Sequence, residues 1–136
     1  MAREFFLSVV APDKSVVEQD VVSATLPGSE GYFGVMAGHV PLIAALKAGL
    51  LEYVDRVGSR HFVYVGGGFV DVSGEKVTVL ADEAQPAREI DLGRAEQLLE
   101  DARKALRGED STITKENAVE EVEKAMNRVR AARAAR

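Results

Sequence analysis

Up to residue 84 the chain alternates apolar and polar positions in short bursts. Phe5-Phe6-Leu7-Ser8-Val9-Val10 is aromatic and β-branched, as strands are, and ends at the turn Ala11-Pro12-Asp13-Lys14. Val16-Val17 and Val21-Val22-Ser23-Ala24-Thr25-Leu26 follow, and Pro27-Gly28-Ser29-Glu30-Gly31 then breaks the pattern. Leu50–Val57 and Phe62–Val65 flank Gly58-Ser59, which predicts a hairpin. Phe69-Val70-Asp71-Val72 and Val77-Thr78-Val79-Leu80 are joined by Ser73-Gly74-Glu75-Lys76. Short strands separated by frequent turn signals predict an antiparallel β-sandwich or barrel over residues 1–84. No helix-length period interrupts them, which argues against a βαβ fold.

Beyond residue 84 the period changes. Ala84-Gln85-Pro86-Ala87 reads as the start of a linker over 85–90, because proline restricts itself and the residue before it. Leu92, Ala95, Leu99, Ala102 and Leu106 then recur at spacings of three and four, one face of a helix. Asp91 stands at the N-cap position and Gly108 at the C-terminal stop. Ser111, Thr112 and Thr114 offer caps for a second helix, striped by Ala118, Val122, Ala125, Val129 and Ala132. The predicted fold is therefore α+β: a small barrel followed by a two-helix antiparallel hairpin over 91–136. Alanine stripes bury little area, and at about 25 cal/mol per Å² so lean a hairpin is only marginally held shut. A marginal hairpin suits a switch, since a modest ligand energy can open or close it. The plainer alternative is a static hairpin packed on the barrel.

Composition narrows the function classes. The 136 residues include no cysteine, which excludes a disulfide framework, thiol catalysis and cysteine-rich zinc sites. No apolar run is long enough to span a bilayer, and Glu4 interrupts any signal-like start, so the chain is expected to stay where it is made. A net charge of −5 argues against general nucleic-acid binding. All of that excess lies in residues 1–84, whereas residues 85–136 balance. The last thirteen positions carry Lys124, Arg128, Arg130, Arg133 and Arg136 with no acidic residue. A solvated helix end favoured by the helix dipole accounts for such a run as readily as a binding surface does.

No catalytic constellation stands out. Gly66-Gly67-Gly68 lacks the lysine and hydroxyl residue of a phosphate loop and runs into a strand, which predicts a bulge or a close backbone approach. His39 and His61, the only histidines, have no cluster of metal-ligand or triad partners around them, and His39 is expected to order a turn. Residue by residue, the chain reads as a binding or interaction module.

One segment goes further. Leu26-Pro27-Gly28-Ser29-Glu30-Gly31-Tyr32-Phe33-Gly34-Val35-Met36-Ala37-Gly38-His39-Val40-Pro41-Leu42 strongly resembles the signature of F-type ATP synthase epsilon subunits, with Met36 where leucine is more frequent. The resemblance extends to Val10–Lys14, Val65–Val72, Val77–Asp82 and Asp91–Ala95. It implies a non-catalytic rotor subunit that needs no cofactor. The glycines at 28, 31, 34 and 38 permit positive φ, and the segment is expected to form a rigid, irregular surface rather than a regular strand. In the family that face meets the gamma subunit and the c-ring, so Gly31, Phe33, Gly34, Gly38, His39, Pro41 and Leu42 are the expected docking residues.

The resemblance assigns the hairpin a second role. It lies folded on the barrel or extends toward the catalytic α and β subunits, where it restrains ATP hydrolysis. Arg128, Arg130, Arg133 and Arg136 would then meet acidic side chains through paired donors. Some members bind regulatory ATP through a pattern matched here by Ile90-Asp91-Leu92-Gly93-Arg94-Ala95, aided by cations on the second helix, here Lys124 and Arg128. Lys124 replaces a usual arginine and Gln85 a usual glutamate, so any ATP binding is expected to be weak. The implied location is peripheral, on the cytoplasmic face of a cell membrane or on a thylakoid membrane. The alternative is a free-standing adaptor or chaperone whose hairpin grips a partner protein.

Overall fold

The computed structural model describes residues 3–109 and 113–135. Seven strands precede two helices: β1 (Phe5–Ala11), β2 (Lys14–Gly28), β3 (Gly31–Met36), β4 (Leu42–Asp55), β5 (Arg60–Ser73), β6 (Lys76–Ala81), β7 (Ala84–Pro86), α1 (Leu92–Leu106) and α2 (Lys115–Ala134). Every hydrogen-bonded neighbour pair is antiparallel except β1 with β6, which run parallel. That pair together with β1–β2 closes the ring β1-β6-β5-β4-β2 into a barrel. The long β2 pairs with β1 over its first half and with β3 over its second, while β4 also runs along the second half. The short strands expected from the turn signals thus merge: 14–28 is one strand, and 60–73 runs straight through the three glycines.

Alternation sends Leu7, Val9, Val21, Leu26, Leu51, Val63, Val65, Val70, Val72, Val77 and Val79 into one core, nearly all fully buried. Burying such a side chain contributes roughly 1.5–3 kcal/mol. Ser8 is the one buried polar residue among the described residues of the barrel, and its hydroxyl donates to Glu18 Oε1 at 2.9 Å. At the hairpin tip Asp55 accepts from the backbone N–H groups of Val57 and Ser59 and from His61 Nε2, at 3.0, 2.9 and 2.8 Å. His61 in turn stacks on Tyr53, ring centroids 4.8 Å apart.

The segment expected as a linker is structured. Ala84–Pro86 adds to β5 as β7, and Ala87–Glu89 forms a 3-10 turn with Ala87 buried. The helix ends follow the sequence. Asp91 caps α1 by accepting from Arg94 N–H at 3.0 Å. Gly108, at φ +84°, ends it, with the Gly108 and Glu109 N–H groups donating to the Ala105 and Lys104 carbonyls. Thr114 caps α2 through Asn117 N–H. Ser111 and Thr112, the other cap candidates, and Arg136 lie outside the described residues.

The hairpin is folded down. α1 packs on α2, and α2 packs in turn on β4, β5 and the 3-10 turn. A second apolar cluster fills this junction: Tyr64, Ala87, Ile90, Ala95, Val129, Ala131 and Ala132, with Leu50, Phe62, Leu92 and Leu99 at its margin. The aromatic and leucine content comes from the barrel and from α1. The alanine stripes therefore understate what holds the hairpin.

Candidate functional site

The glycine-rich segment does not form an irregular surface. Pro27-Gly28 ends β2, Ser29-Glu30 makes the turn, and Gly31–Met36 is a regular strand paired back on Ser23–Gly28. Of the four glycines only Gly31 and Gly38 take positive φ, at 135° and 86°. Gly28 is needed for space instead, since a Cβ there would lie 2.6 Å from the Gly31 carbonyl oxygen. Gly34 meets neither condition: its φ is ordinary, and a Cβ would come no nearer than 4.0 Å to the Ala24 carbonyl.

Strand alternation then splits the expected docking residues. Phe33 and Leu42 turn toward the barrel and pack against its core. Gly34 and Pro41 are exposed, as are their neighbours Tyr32, Met36 and Val40. His39 orders the turn before β4: its N–H donates to the Met36 carbonyl, and Nδ1 lies 2.7 Å from the Val40 carbonyl. A carbonyl only accepts, so Nδ1 carries the proton.

The chain leaves this turn into an apolar patch that the docking motif does not contain. Ile43 on β4, Phe69 on β5 and Leu80 on β6 are 76%, 58% and 57% exposed. Register aligns Val10, Leu80, Phe69 and Ala45 across β1, β6, β5 and β4, with Ile43 diagonal to Phe69. Four strands at about 4.8 Å spacing make a row roughly 14 Å wide. The sequence carries a trace of it: Phe69-Val70 and Val79-Leu80 are apolar on both faces, where a half-exposed strand needs only one.

On the hairpin, the described cations of the basic run, Lys124, Arg128, Arg130 and Arg133, are already engaged. Arg128 Nη2 donates to Glu83 Oε1 at 2.9 Å, and its guanidinium sits 4.9 Å from the Tyr64 ring centroid. Tyr64 donates its hydroxyl to the same Glu83 oxygen at 2.7 Å. Burial first, and this bond second, push the Tyr64 hydroxyl well above its ordinary pKa, so it serves as a neutral donor. Lys124 Nζ lies 3.4 Å from Glu120 and 4.0 Å from Glu83. Arg130 donates to Asn127 Oδ1, and Arg133 pairs with Glu96 of α1 at 3.5 Å.

The residues matching the ATP pattern fall into two groups. Asp91 is occupied as a helix cap, Arg94 is exposed, and Ala95 is buried in the second cluster. The Arg133–Glu96 pair sets that end of α1 beside the C-terminal turns of α2. Lys124 lies nine residues earlier on α2, about 13 Å along the axis, and faces the barrel with Arg128. Gln85, at the position of the usual glutamate, donates to the Glu89 carbonyl within its own loop.

Comparison with known proteins now bears on this arrangement. Residues 4–87 match the model of the ATP synthase delta/epsilon chain, beta-sandwich domain. The chain belongs to the ATP synthase delta/epsilon family. It is 42% identical over 113 residues to the ATP synthase epsilon chain of Desulfatibacillum aliphaticivorans, covering 83% of this chain and 80% of the relative. It is 38% identical over 130 residues to the epsilon chain of Nitratidesulfovibrio vulgaris, covering 96% of both. Among solved structures, a chain of the Euglena gracilis mitochondrial ATP synthase OSCP/F1/c-ring assembly superposes with a TM-score of 0.82 at 27% identity, over 95% of this chain and 81% of that one. The family match covers the barrel with β7, and the Euglena superposition takes in the folded hairpin as well. No described helix is long and apolar enough to cross a membrane.

Proposed function

We propose that this epsilon-family chain is a non-catalytic stalk subunit that joins the gamma shaft to the c-ring during proton-driven ATP synthesis and restrains ATP hydrolysis through its hairpin. The observation that carries the coupling role is the exposed apolar row beside the glycine-rich turn. Ile43, Phe69 and Leu80 lie on a rigid barrel, and an exposed patch of this kind marks a protein-binding face. Gly31, Gly34, Gly38, His39 and Pro41 are proposed to complete the docking surface from the preceding strand and turn, with Phe33 and Leu42 anchoring that segment on the barrel core. The subunit would reach the cytoplasmic face of the membrane only through the complex.

Exchange of Phe69→Glu together with Ile43→Glu tests the docking role. Both side chains are exposed, so the barrel should keep its melting temperature. Co-purification with gamma and the c-ring from a membrane extract should fall at least tenfold, as expected for the loss of central apolar contacts. Undiminished co-purification would overturn the docking face, and a different protein brought down in their place would favour the adaptor reading.

The regulatory role draws on the cations. With the hairpin folded, Arg128, Arg130 and Arg133 are each satisfied within the chain. Only Arg128 is held by the barrel, through Glu83, and it becomes available to acidic α or β surfaces when α2 leaves; Arg130 and Arg133 are exposed and exchange their partners on α2 and α1 for those surfaces. Regulatory ATP would be weak for the same reason, since its phosphates must displace Glu83 from Arg128. Millimolar affinity for the isolated subunit is the expected outcome, read from amide shifts at Asp91, Arg94 and Arg128 that vanish in Arg94→Ala.

A further inference from the structure

The three consecutive glycines of β5 and the carboxylate of Glu83 are not used by the docking face. The two belong together. β6 and β7 lie along the same edge of β5 in one register, interrupted only by Asp82 and Glu83. That bend is bound to the glycines: Gly66 N–H donates to the Glu83 carbonyl at 2.8 Å, and Asp82 N–H donates to the Gly67 carbonyl at 2.9 Å. The Glu83 side chain then lies directly over Gly66. A Cβ at Gly66 would sit 2.3 Å from Glu83 Cγ and 2.6 Å from Oε1. Any larger residue at 66 therefore drives the carboxylate out of its position.

From that position one oxygen, Oε1, accepts from Tyr64 of the barrel and from Arg128 of α2. Lys124 Nζ adds a third positive or donor group at 4.0 Å. The Arg128 guanidinium also covers the Tyr64 ring, so its side chain is only 20% exposed. We propose that Glu83, seated over Gly66, is the latch that holds the hairpin closed by joining Tyr64 to Arg128. The latch rests on the reading that α2 leaves the barrel when the hairpin acts. Its chemistry also says what opens it. Arg128 can be taken from Glu83 by a stronger anionic surface, clustered carboxylates on a partner, and the freed arginine then belongs to that partner. Closing and partner binding thus compete for one side chain.

The 136-residue sequence contains no cysteine, so a single thiol reports opening without background. Ala131 is fully buried in the junction cluster of α2 and the barrel. In an Ala131→Cys parent, the rate of thiol labelling measures how often the junction opens. Adding Glu83→Ala should accelerate labelling about tenfold, the loss expected for a charge-assisted, partly exposed bond. Gly66→Ala, whose added Cβ meets the Glu83 side chain, should accelerate it comparably. Glu120→Ala, which removes only a surface partner of Lys124, should change the rate less than twofold. If Gly66→Ala lowers the barrel's melting temperature, Tyr64→Phe replaces it, with about threefold acceleration expected from loss of the hydroxyl alone. Labelling unchanged by Glu83→Ala would overturn the latch and leave apolar packing as the fastening. Accelerated labelling with unaltered ATP hydrolysis by the assembled enzyme would keep the latch and overturn the regulatory role of the hairpin.

Discussion

The barrel and the hairpin solve the same problem, burying an apolar face, with different materials. The barrel closes on itself and fills its interior with leucine and valine from every strand of the ring. The hairpin brings two alanine-striped faces together and completes its burial on the outside of the barrel, where Tyr64, Phe62 and Leu50 wait for it. One region is stable through its own contacts, and the other through contacts with its neighbour. Even the polar groups differ. Ser8 is satisfied by Glu18 of the neighbouring barrel strand, whereas Asn127, on the buried face of α2, reaches across to the Ala48 carbonyl of β4 at 3.4 Å and back to the Glu123 carbonyl at 2.9 Å.

The strongest way to break this comparison is a cavity in the barrel. Leu51 is fully buried, and Leu51→Ala should cost about 2–5 kcal/mol, with the hairpin lost in the same transition because its seat goes with it. A melt followed by far-ultraviolet circular dichroism checks this, and helix signal surviving barrel melting would refute the dependence. Next is the basic end. Replacing Arg128, Arg130, Arg133 and Arg136 together by alanine should raise ATP hydrolysis of the assembled enzyme several-fold. Each exposed pair is worth roughly 0.2–1 kcal/mol, so single changes at Arg130 or Arg133 should do little. Unchanged hydrolysis with the subunit still bound would count against the inhibitory role.

A smaller effect isolates the hairpin. Thr114→Ala removes the cap of α2 at about 1 kcal/mol. It should hasten amide exchange at the start of α2 and leave the barrel strands unchanged. Conversely, a chain ended after Ala87 keeps β7 on β5 and should still fold and bind gamma, whereas ending it before Ala84 would unpair Val63–Val65. A folded 1–87 chain that fails to bind gamma would move the docking face off the barrel.

The smallest effect belongs to acid. The hydrogen bond from His61, and then that from the Ser59 N–H, hold the Asp55 carboxyl below its usual pKa. A depressed carboxylate stabilises the folded form above its unfolded pKa, and that contribution is lost as pH falls through the lower folded value, here below about pH 4. Amide shifts at Val57 and Ser59 should therefore move together below pH 4, and Asp55→Asn should abolish the coupled movement. A transition near neutrality instead would overturn the assignment to Asp55.

Much of the architecture was legible in the chain because local chemistry specified it. Alternating valines, the Gly58-Ser59 turn, the caps at Asp91 and Thr114 and the stop at Gly108 each act within a few residues. The docking motif was legible as a pattern but not as a shape, since glycine permits positive φ without requiring it. Gly28 proves to be a matter of clearance and Gly31 one of conformation.

Sequence alone determined the change of period near residue 84, the two helices and the membership implied by residues 26–42. Those properties depend on neighbours in the chain, whose spacing is written in it. Tertiary structure decided that β1 closes the barrel on β6, that Ala84–Pro86 is a strand, and that Phe69 and Leu80 stand side by side facing out. It also decided the fate of the cations. Arg128 is 45 residues from Glu83 and 64 from Tyr64 in sequence, and no periodicity links them. Only the packing of α2 on β5, with Gly66 leaving room for a carboxylate, brings the three together.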